Sequence, residues 1–241
     1  MRLARLPVLF AILALALLLV SGPGTRLDFW HFRTGFTLMT WATYLGLAAA
    51  ALAALLLLIP RTRRGRAKTL VLGVVLGLAA TVMPLLGAYT AKTVPFIHDI
   101  STDTTRPPEF VAILPLRADA PNPAAYGGPE VAAAQKAGYP DLRTQMLDLS
   151  PADTFARAER AARDMGWEVV AAVPEAGRLE ATDTTFWYGF KDDIVIRIEP
   201  EGAASRIDIR SVSRVGKSDV GKNAARIRAF IDRLGSQPVA R

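Results

Sequence analysis

The sequence from residue 186 to residue 216 is FWYGFKDDIVIRIEPEGAASRIDIRSVSRVG. Isoleucine alternates with other residues in two runs, at Ile194, Ile196 and Ile198 and at Ile207 and Ile209. Pro200, Glu201 and Gly202 separate the runs. A period of two on both sides of such a turn predicts an antiparallel β-hairpin whose isoleucines face a core and whose charged residues face away from it.

The segments around this hairpin complete a predicted α+β domain over residues 150–241. Ser150, Pro151 and Asp153 form a helix start signal, since serine is a favoured N-cap and proline is favoured at the first helical position. Two strands are predicted between residues 167 and 188, and a last helix after Ser218. The expected fold is a two-layer sandwich, in which a four-stranded, mostly antiparallel sheet carries two helices on one face.

The second face of the sheet carries charges on its last strand, at Arg206, Asp208, Arg210 and Arg214. Residues 93–149 are rich in Pro, Gly and Ala and predict an extended arm. The charged face is expected to be solvated or covered by this arm. A partner site is the alternative, but interfaces usually deplete acidic residues and this face keeps them.

Residues 1–92 form a predicted transmembrane region with apolar segments at about 6–21, 36–59 and 70–89. The first segment follows Arg2 and Arg5 and has the length of a signal-peptide core. An Ala-x-Ala cleavage pattern is missing, so a retained helix is favoured. Cleavage would leave two spans with the same sidedness.

The basic residues set the expected topology. Residues 1–92 hold ten Lys and Arg against one acid, whereas residues 93–241 are slightly acidic, although the whole chain carries +7. Five of the basic residues lie between Arg61 and Lys68, which places that loop in the cytoplasm. We therefore expect a multi-pass protein of a bacterial inner membrane with a periplasmic C-terminal domain, and no nucleic-acid partner, because the domain lacks a basic stripe.

Gly73 and Gly77 allow close helix contact in the third segment. This contact is expected inside the bundle, with a homo-oligomer as the alternative. The expected partners are membrane lipids and a larger membrane protein complex. No charge lies deep in the segments, which disfavours a transporter.

Several polar residues are candidates for a ligand or partner surface. They are His98, Asp99, Asp103, Lys191, Asp192, Asp193, Arg210 and Arg214. The histidine and the acids have the donor types of a metal or proton-transfer site, and the basic residues could bind an anionic headgroup. The favoured interpretation is structural: these groups fasten a proline-stiffened loop to the sheet. No catalytic residue, metal or cofactor is predicted, and the absence of Cys excludes disulfides and thiolate sites.

The chain resembles the family called domain of unknown function 1499. The motifs that carry the likeness are Ile97–Asp103, Pro107–Phe110, Ala181–Thr185, Gly189–Asp193 and Asp208–Asp219. The resemblance covers roughly residues 93–235 and implies a bacterial or plastid-type domain, often behind hydrophobic segments, without an assigned reaction. We expect a non-enzymatic accessory or scaffold subunit of an envelope complex. The alternative is an envelope enzyme or a lipid- or anion-binding module that uses the region of His98, Asp99 and Asp103.

Overall fold

A computed structural model describes residues 3–236 and divides into two compact units. The first, here called the helical unit, extends to Thr90 and also contains the short segment Phe186–Gly189. The second, the sheet unit, contains Ala91–Thr185 and the chain from Phe190 onward. Each unit has its own cluster of buried apolar side chains.

The helical unit consists of long apolar helices joined by short turns. They are α1 (Leu6–Arg26), α2 (Phe32–Leu58), the four-residue α3 (Pro60–Arg63) and α4 (Ala67–Thr93), whose last three residues are counted with the sheet unit. Within residues 3–236, three helices are long and apolar enough to cross a membrane. This confirms the three apolar segments predicted from the sequence, which fit a membrane protein.

The helix ends differ from those predicted for local reasons. Helix α1 continues through Pro23 to Arg26, although a proline inside a helix removes one backbone hydrogen bond. Helix α2 begins earlier than expected because His31 caps it: its Nδ1 atom accepts the backbone N–H of Arg33 at 3.3 Å.

Small residues let α2 and α4 approach closely. A side-chain carbon on Gly77 would lie 2.6 Å from the carbonyl oxygen of Gly46 and 2.9 Å from the backbone nitrogen of Ala50. A carbon on Gly73 would lie 3.2 Å from the Cβ atom of Ala53. Both glycines therefore lie in helix contacts inside the bundle, and their use by a second copy of the chain stays a prediction.

The sheet unit is built on one antiparallel sheet with helices packed against it. Its strands are β1 (Asp99–Ser101), β2 (Gln145–Leu147), β3 (Glu168–Val173), β4 (Arg178–Thr184), β5 (Lys191–Glu201) and β6 (Ala204–Ser213). Its helices are α5 (Gly128–Gly138), α6 (Pro151–Asp164) and α7 (Lys222–Ser236). The strand order is β1-β6-β5-β4-β3, and β2 pairs with β6 beside β1.

The prediction of a four-stranded sheet with two helices was wrong. Within residues 3–236 the sheet has six strands, and the helix count also differs. The additional strands β1 and β2 and helix α5 all come from the segment 93–149. Each additional strand has three residues, which is too short for alternation to show in the sequence. They form because the hairpin leaves one side of β6 unpaired, and antiparallel pairing there satisfies its backbone groups.

The two faces of the sheet have different contents. The isoleucines of β5 and β6 face α6 and α7 and form the main core, where Trp167 and Phe230 stack with ring centroids 5.3 Å apart. The opposite face holds a smaller apolar cluster of Phe110, Ile113, Val195 and Val212. Segment 102–126, here called the covering segment, supplies the first two of these residues and lies on the charged side chains.

Candidate functional site

Strand register brings the charged residues of the second face into rows. Asp99 on β1 and Asp193 on β5 both pair with Val212 on β6. Cross-strand partners in an antiparallel sheet share a face, so both aspartates lie with Val212 under the covering segment. Alternation along β6 places Arg210 on the same face. The face therefore combines acids and arginines from distant parts of the sequence.

Arg210 lies at the centre of this face and is 2% exposed. Its Nε atom donates to Oδ1 of Asp99 at 2.9 Å, and its Nη2 atom donates to Oδ2 at 2.8 Å. Its guanidinium also lies over the rings of Phe110 and Tyr126, at 5.2 and 5.4 Å from their centroids. Ala124 accepts a further hydrogen bond through its carbonyl oxygen at 2.8 Å. Arg210 thus joins β6, β1 and the covering segment.

Asp193 is the second junction and is fully buried. Arg117 of the covering segment donates to its Oδ2 atom at 2.9 Å. Arg214 donates to both of its carboxylate oxygens, at 2.9 and 2.8 Å. Thr182 donates its hydroxyl to Oδ1 at 2.7 Å. One carboxylate therefore holds an arginine from the covering segment and another from the sheet.

A third group joins two aspartates to two arginines. Arg206 donates to Asp103 at 2.7 Å and to Asp208 at 3.0 Å. Arg197 donates to the same two carboxylates, at 3.1 and 2.8 Å. Asp103 belongs to the start of the covering segment, so this group closes its first turn onto the sheet.

The surroundings of Asp103 favour its charged form. Burial raises the pKa of Asp103, but the backbone N–H groups of Arg106 and Thr105 and the charges of Arg206 and Arg197 outweigh burial. Together they hold this pKa below its usual range. Asp103 therefore acts as a structural anion at neutral pH.

A family model described as "Protein of unknown function (DUF1499)" matches residues 99–234 of the chain. The chain belongs to the DUF1499 family. This confirms the resemblance carried by the motifs, and the match spans the strands and helices of the sheet unit from β1 to α7. The search of curated proteins found no match to the chain.

One central residue of the DUF1499 domain was missed by the sequence analysis. Glu180 on β4 is fully buried, and its carboxylate accepts the backbone N–H groups of Val111, Ala112 and Ile113 at 3.0–3.1 Å. Arg178 donates to the same carboxylate at 2.9 Å. The sequence contained a signal for this role. Glu180 lies between Leu179 and Ala181 in a predicted strand, and alternation directs it to the second face if its two neighbours face the core.

The structure separates the other candidate residues. Asp192 lies on the helix-covered face, where Arg226 of α7 donates to it at 2.6 Å. His98 is half-buried, and its Nδ1 atom lies 3.4 Å from the carbonyl oxygen of Lys217. Lys191 is exposed at the start of β5. Within residues 3–236, no three His, Cys, Asp or Glu side chains come together in a way that could hold a metal ion.

A cavity of about 300 Å³ lies beside the Asp99–Arg210 pair. Its lining residues are Glu109, Phe110, Leu114, Ala124, Ala125, Tyr126 and Arg210. The hydroxyl of Tyr126 is buried and has no hydrogen-bond partner among the described residues. Burial and the charge of Asp99 raise the pKa of Tyr126 to about 12, so the phenol is neutral. The cavity walls are mainly apolar, and the charge of Arg210 is already paired.

Proposed function

We propose that this DUF1499 protein is a non-enzymatic accessory or scaffold subunit of an envelope membrane complex. In this proposal its three spans lie in a bacterial inner membrane and the sheet unit lies in the periplasm. The observation that carries the proposal is the pairing of the charged residues within the domain. The acids of the second face bind arginines and backbone N–H groups that fasten the covering segment to the sheet.

This arrangement differs from what acid–base or nucleophilic chemistry needs. A catalytic carboxylate must reach the substrate. Asp99, Asp193 and Glu180 are instead buried and hydrogen-bonded on several sides. Such groups give a rigid domain with a fixed outer surface, which suits a role in assembly.

The proposed orientation rests on the basic residues around α3. The loop from Arg61 to Lys68 joins α2 to α4 and carries five positive charges. Such loops remain in the cytoplasm. With the loop inside, α4 delivers the chain to the opposite side of the membrane, and the DUF1499 domain follows α4.

The lipid-facing side of the bundle offers a surface for a larger complex. Exposed apolar side chains line the long helices, among them Leu47 of α2 and Leu72, Val75 and Leu78 of α4. In a bilayer these side chains contact lipid or a neighbouring helix. A second copy of the chain or a larger membrane protein are both compatible with this surface.

Purification of the tagged full chain from its native membrane in a mild detergent tests the accessory role. A partner that remains in fixed proportion through a high-salt wash is the expected result. A tagged chain whose outer face is changed, with Leu72→Ser and Val75→Ser in α4, serves as the matched control and should lose that partner. Recovery of the chain alone, from membranes that contain it at its native level, would refute the accessory role.

The cavity beside Asp99 and Arg210 favours a second candidate function, a binding module for a small apolar or lipid-derived molecule. A volume of about 300 Å³ is at the lower end of the range for small-molecule sites. Ala125→Trp would fill the cavity from its exposed rim. Native mass spectrometry of the full chain should then show a bound molecule in the wild type that the variant lacks; an equal spectrum for both would exclude this candidate.

A further inference from the structure

The connection between β4 and β5 is a short, closed loop rich in aromatic residues. The backbone N–H of Thr185 donates to the carbonyl oxygen of Phe190 at 2.8 Å, and the hydroxyl of Thr185 accepts the N–H of Phe190 at 2.8 Å. These bonds close the segment Phe186–Gly189, here called the aromatic loop. Gly189 has a φ of +70°, which a residue with a side chain rarely adopts. The loop belongs to the helical unit.

Trp187 of the aromatic loop packs on α1. Its indole occupies the space that any side chain at Gly22 would need. The loop also lies against the end of α1 at Gly189, where an added side-chain carbon would be 3.0 Å from the Cγ atom of Arg26. The guanidinium of Arg26 donates to the carbonyl oxygen of Phe186 at 2.8 Å. The end of α1 is thus shaped to hold the loop.

Tyr188 extends between α1 and α2. Its ring meets that of Phe36 edge-on with centroids 5.0 Å apart. Its hydroxyl lies 3.4 Å from Oγ of Ser21 on α1 and 3.6 Å from Sδ of Met39 on α2. Gly35 makes room for this ring, since a carbon added there would lie 2.9 Å from Cε1 of Tyr188.

These contacts place the Tyr188 side chain beside residues that lie inside α1 and α2, away from the ends that the two helices share. At 1.5 Å per residue, Ser21 lies about 7 Å before the end of α1, and Met39 lies about 10 Å after the start of α2. The headgroup region on one side of a bilayer is about 5–8 Å thick. Tyr188 therefore reaches the level at which headgroups meet hydrocarbon, if α1 and α2 span the bilayer.

Large apolar side chains around the end of α1 are exposed. Phe186 is 84% exposed, Phe29 is 73% exposed and Leu27 is 62% exposed. Phe186 is hydrogen-bonded to Arg26 through its carbonyl oxygen, and Leu27 and Phe29 follow Arg26 in the sequence. Apolar and aromatic groups beside a basic residue are typical of a membrane interface, where rings sit among headgroups and arginine meets phosphate.

We propose that the aromatic loop is a membrane-interface anchor, with Phe186 inserted among lipid headgroups and the upper acyl chains. The partner is the bilayer surface itself. The loop follows the last span by about 95 residues in the sequence, and it adds an interfacial contact to the three spans. The proposal depends on the spans lying in a bilayer and is independent of the accessory role.

The absence of Cys from the chain permits a direct test with nitroxide labels. Phe186→Cys is labelled in the full chain, reconstituted in vesicles of phosphatidylethanolamine and phosphatidylglycerol. Electron paramagnetic resonance then compares collisions of the label with oxygen, which concentrates in the bilayer, and with a water-soluble nickel chelate. Leu47→Cys in the middle of α2 is the reference for the bilayer, and Ala203→Cys in the exposed turn between β5 and β6 is the reference for water.

We expect the label at 186 to collide preferentially with oxygen. Its ratio of oxygen collisions to nickel-chelate collisions should lie between the ratios of the two reference labels, close to that of a label at Phe29→Cys. A label at 186 that collides with the nickel chelate as often as the label at 203 would overturn it. Phe186 is exposed, so the label should leave the fold intact, and an unchanged thermal midpoint and elution volume verify this. A label at 29 that collides preferentially with oxygen, together with a label at 186 that is exposed to water, would also count against the anchor. The bundle would then be inserted in the bilayer without the loop.

Discussion

Arg210 on β6 and Asp99 on β1 form a two-bond ion pair in which both side chains are at most 4% exposed. Asp99→Asn leaves the guanidinium charged and buried without its partner, and breaking such a pair costs about 3–5 kcal/mol of unfolding free energy. Hydrogen exchange of the β6 amides in the full chain measures this loss.

A matched control for this pair is Glu159→Gln, which breaks the exposed pair with Arg163 on α6. Exposed helix pairs of this spacing contribute about 0.3–0.5 kcal/mol. Equal effects of the two substitutions would contradict a structural role for the Asp99–Arg210 pair.

Arg117→Met tests how the covering segment is held. The substitution removes one arginine from Asp193, which keeps Arg214 and Thr182. Since a hydrogen bond to a charged group contributes about 1.5–3 kcal/mol, we expect exchange to accelerate by more than tenfold in residues 110–126 and to change little in the centre of β5.

Arg106→Met is the matched control for Arg117→Met, because it replaces another arginine of the covering segment. Arg106 pairs with Glu199, but its side chain is 60% exposed, and surface substitutions usually change stability by no more than about 0.5 kcal/mol. If Arg106→Met loosens residues 110–126 as much as Arg117→Met does, burial of the Arg117–Asp193 pair is not what secures the segment.

The central hairpin, α6 and α7 could be predicted because their periodicity lies within the element itself. The pairing of β1 and β2 with β6 joins residues that are 58–113 positions apart in the sequence, and a pattern within three residues cannot predict it. The contact of Glu180 with the backbone of Val111 is similarly distant. For this reason the composition of the segment 93–149 was recognised, but its role as part of the sheet was not.

The candidate site shows a second kind of limit. Asp192 and Asp193 were considered together because they are neighbours in sequence, but alternation along β5 directs them to opposite faces. That information was present in the hairpin pattern. The hairpin pattern did not contain the pairing of Asp99 with Arg210, because that pairing depends on the register of β1 on β6.

Asp103 should make stability depend on pH in the acid range. Its folded pKa is held below the usual value, so its contribution is fully present above the unfolded pKa of about 3.9 and is lost as pH falls through the folded pKa. Asp103→Asn should therefore lower the thermal midpoint of the full chain by a constant amount from pH 5 to pH 8. The difference from the wild type should shrink below pH 4.

Circular dichroism melts of both chains between pH 3 and pH 8 provide the measurement. Asp119→Asn replaces an exposed aspartate of the same covering segment and should shift the midpoint little. A deficit of Asp103→Asn that stayed the same down to pH 3 would show that the charge of Asp103 does not stabilise the fold.

Gly77→Val should disrupt the packing of α2 on α4. The new side chain would meet backbone atoms of Gly46 and Ala50 at 2.6 and 2.9 Å, and backbone cannot move aside as a flexible side chain can. Overpacking of a close contact costs about 1–3 kcal/mol, and the result should appear as a lower thermal midpoint of the helical unit in detergent. Gly87→Val is the matched control in the same helix, because a side-chain carbon there meets nothing within 4 Å. Equal midpoints for the two variants would mean that the glycines of α4 serve some contact other than the one with α2.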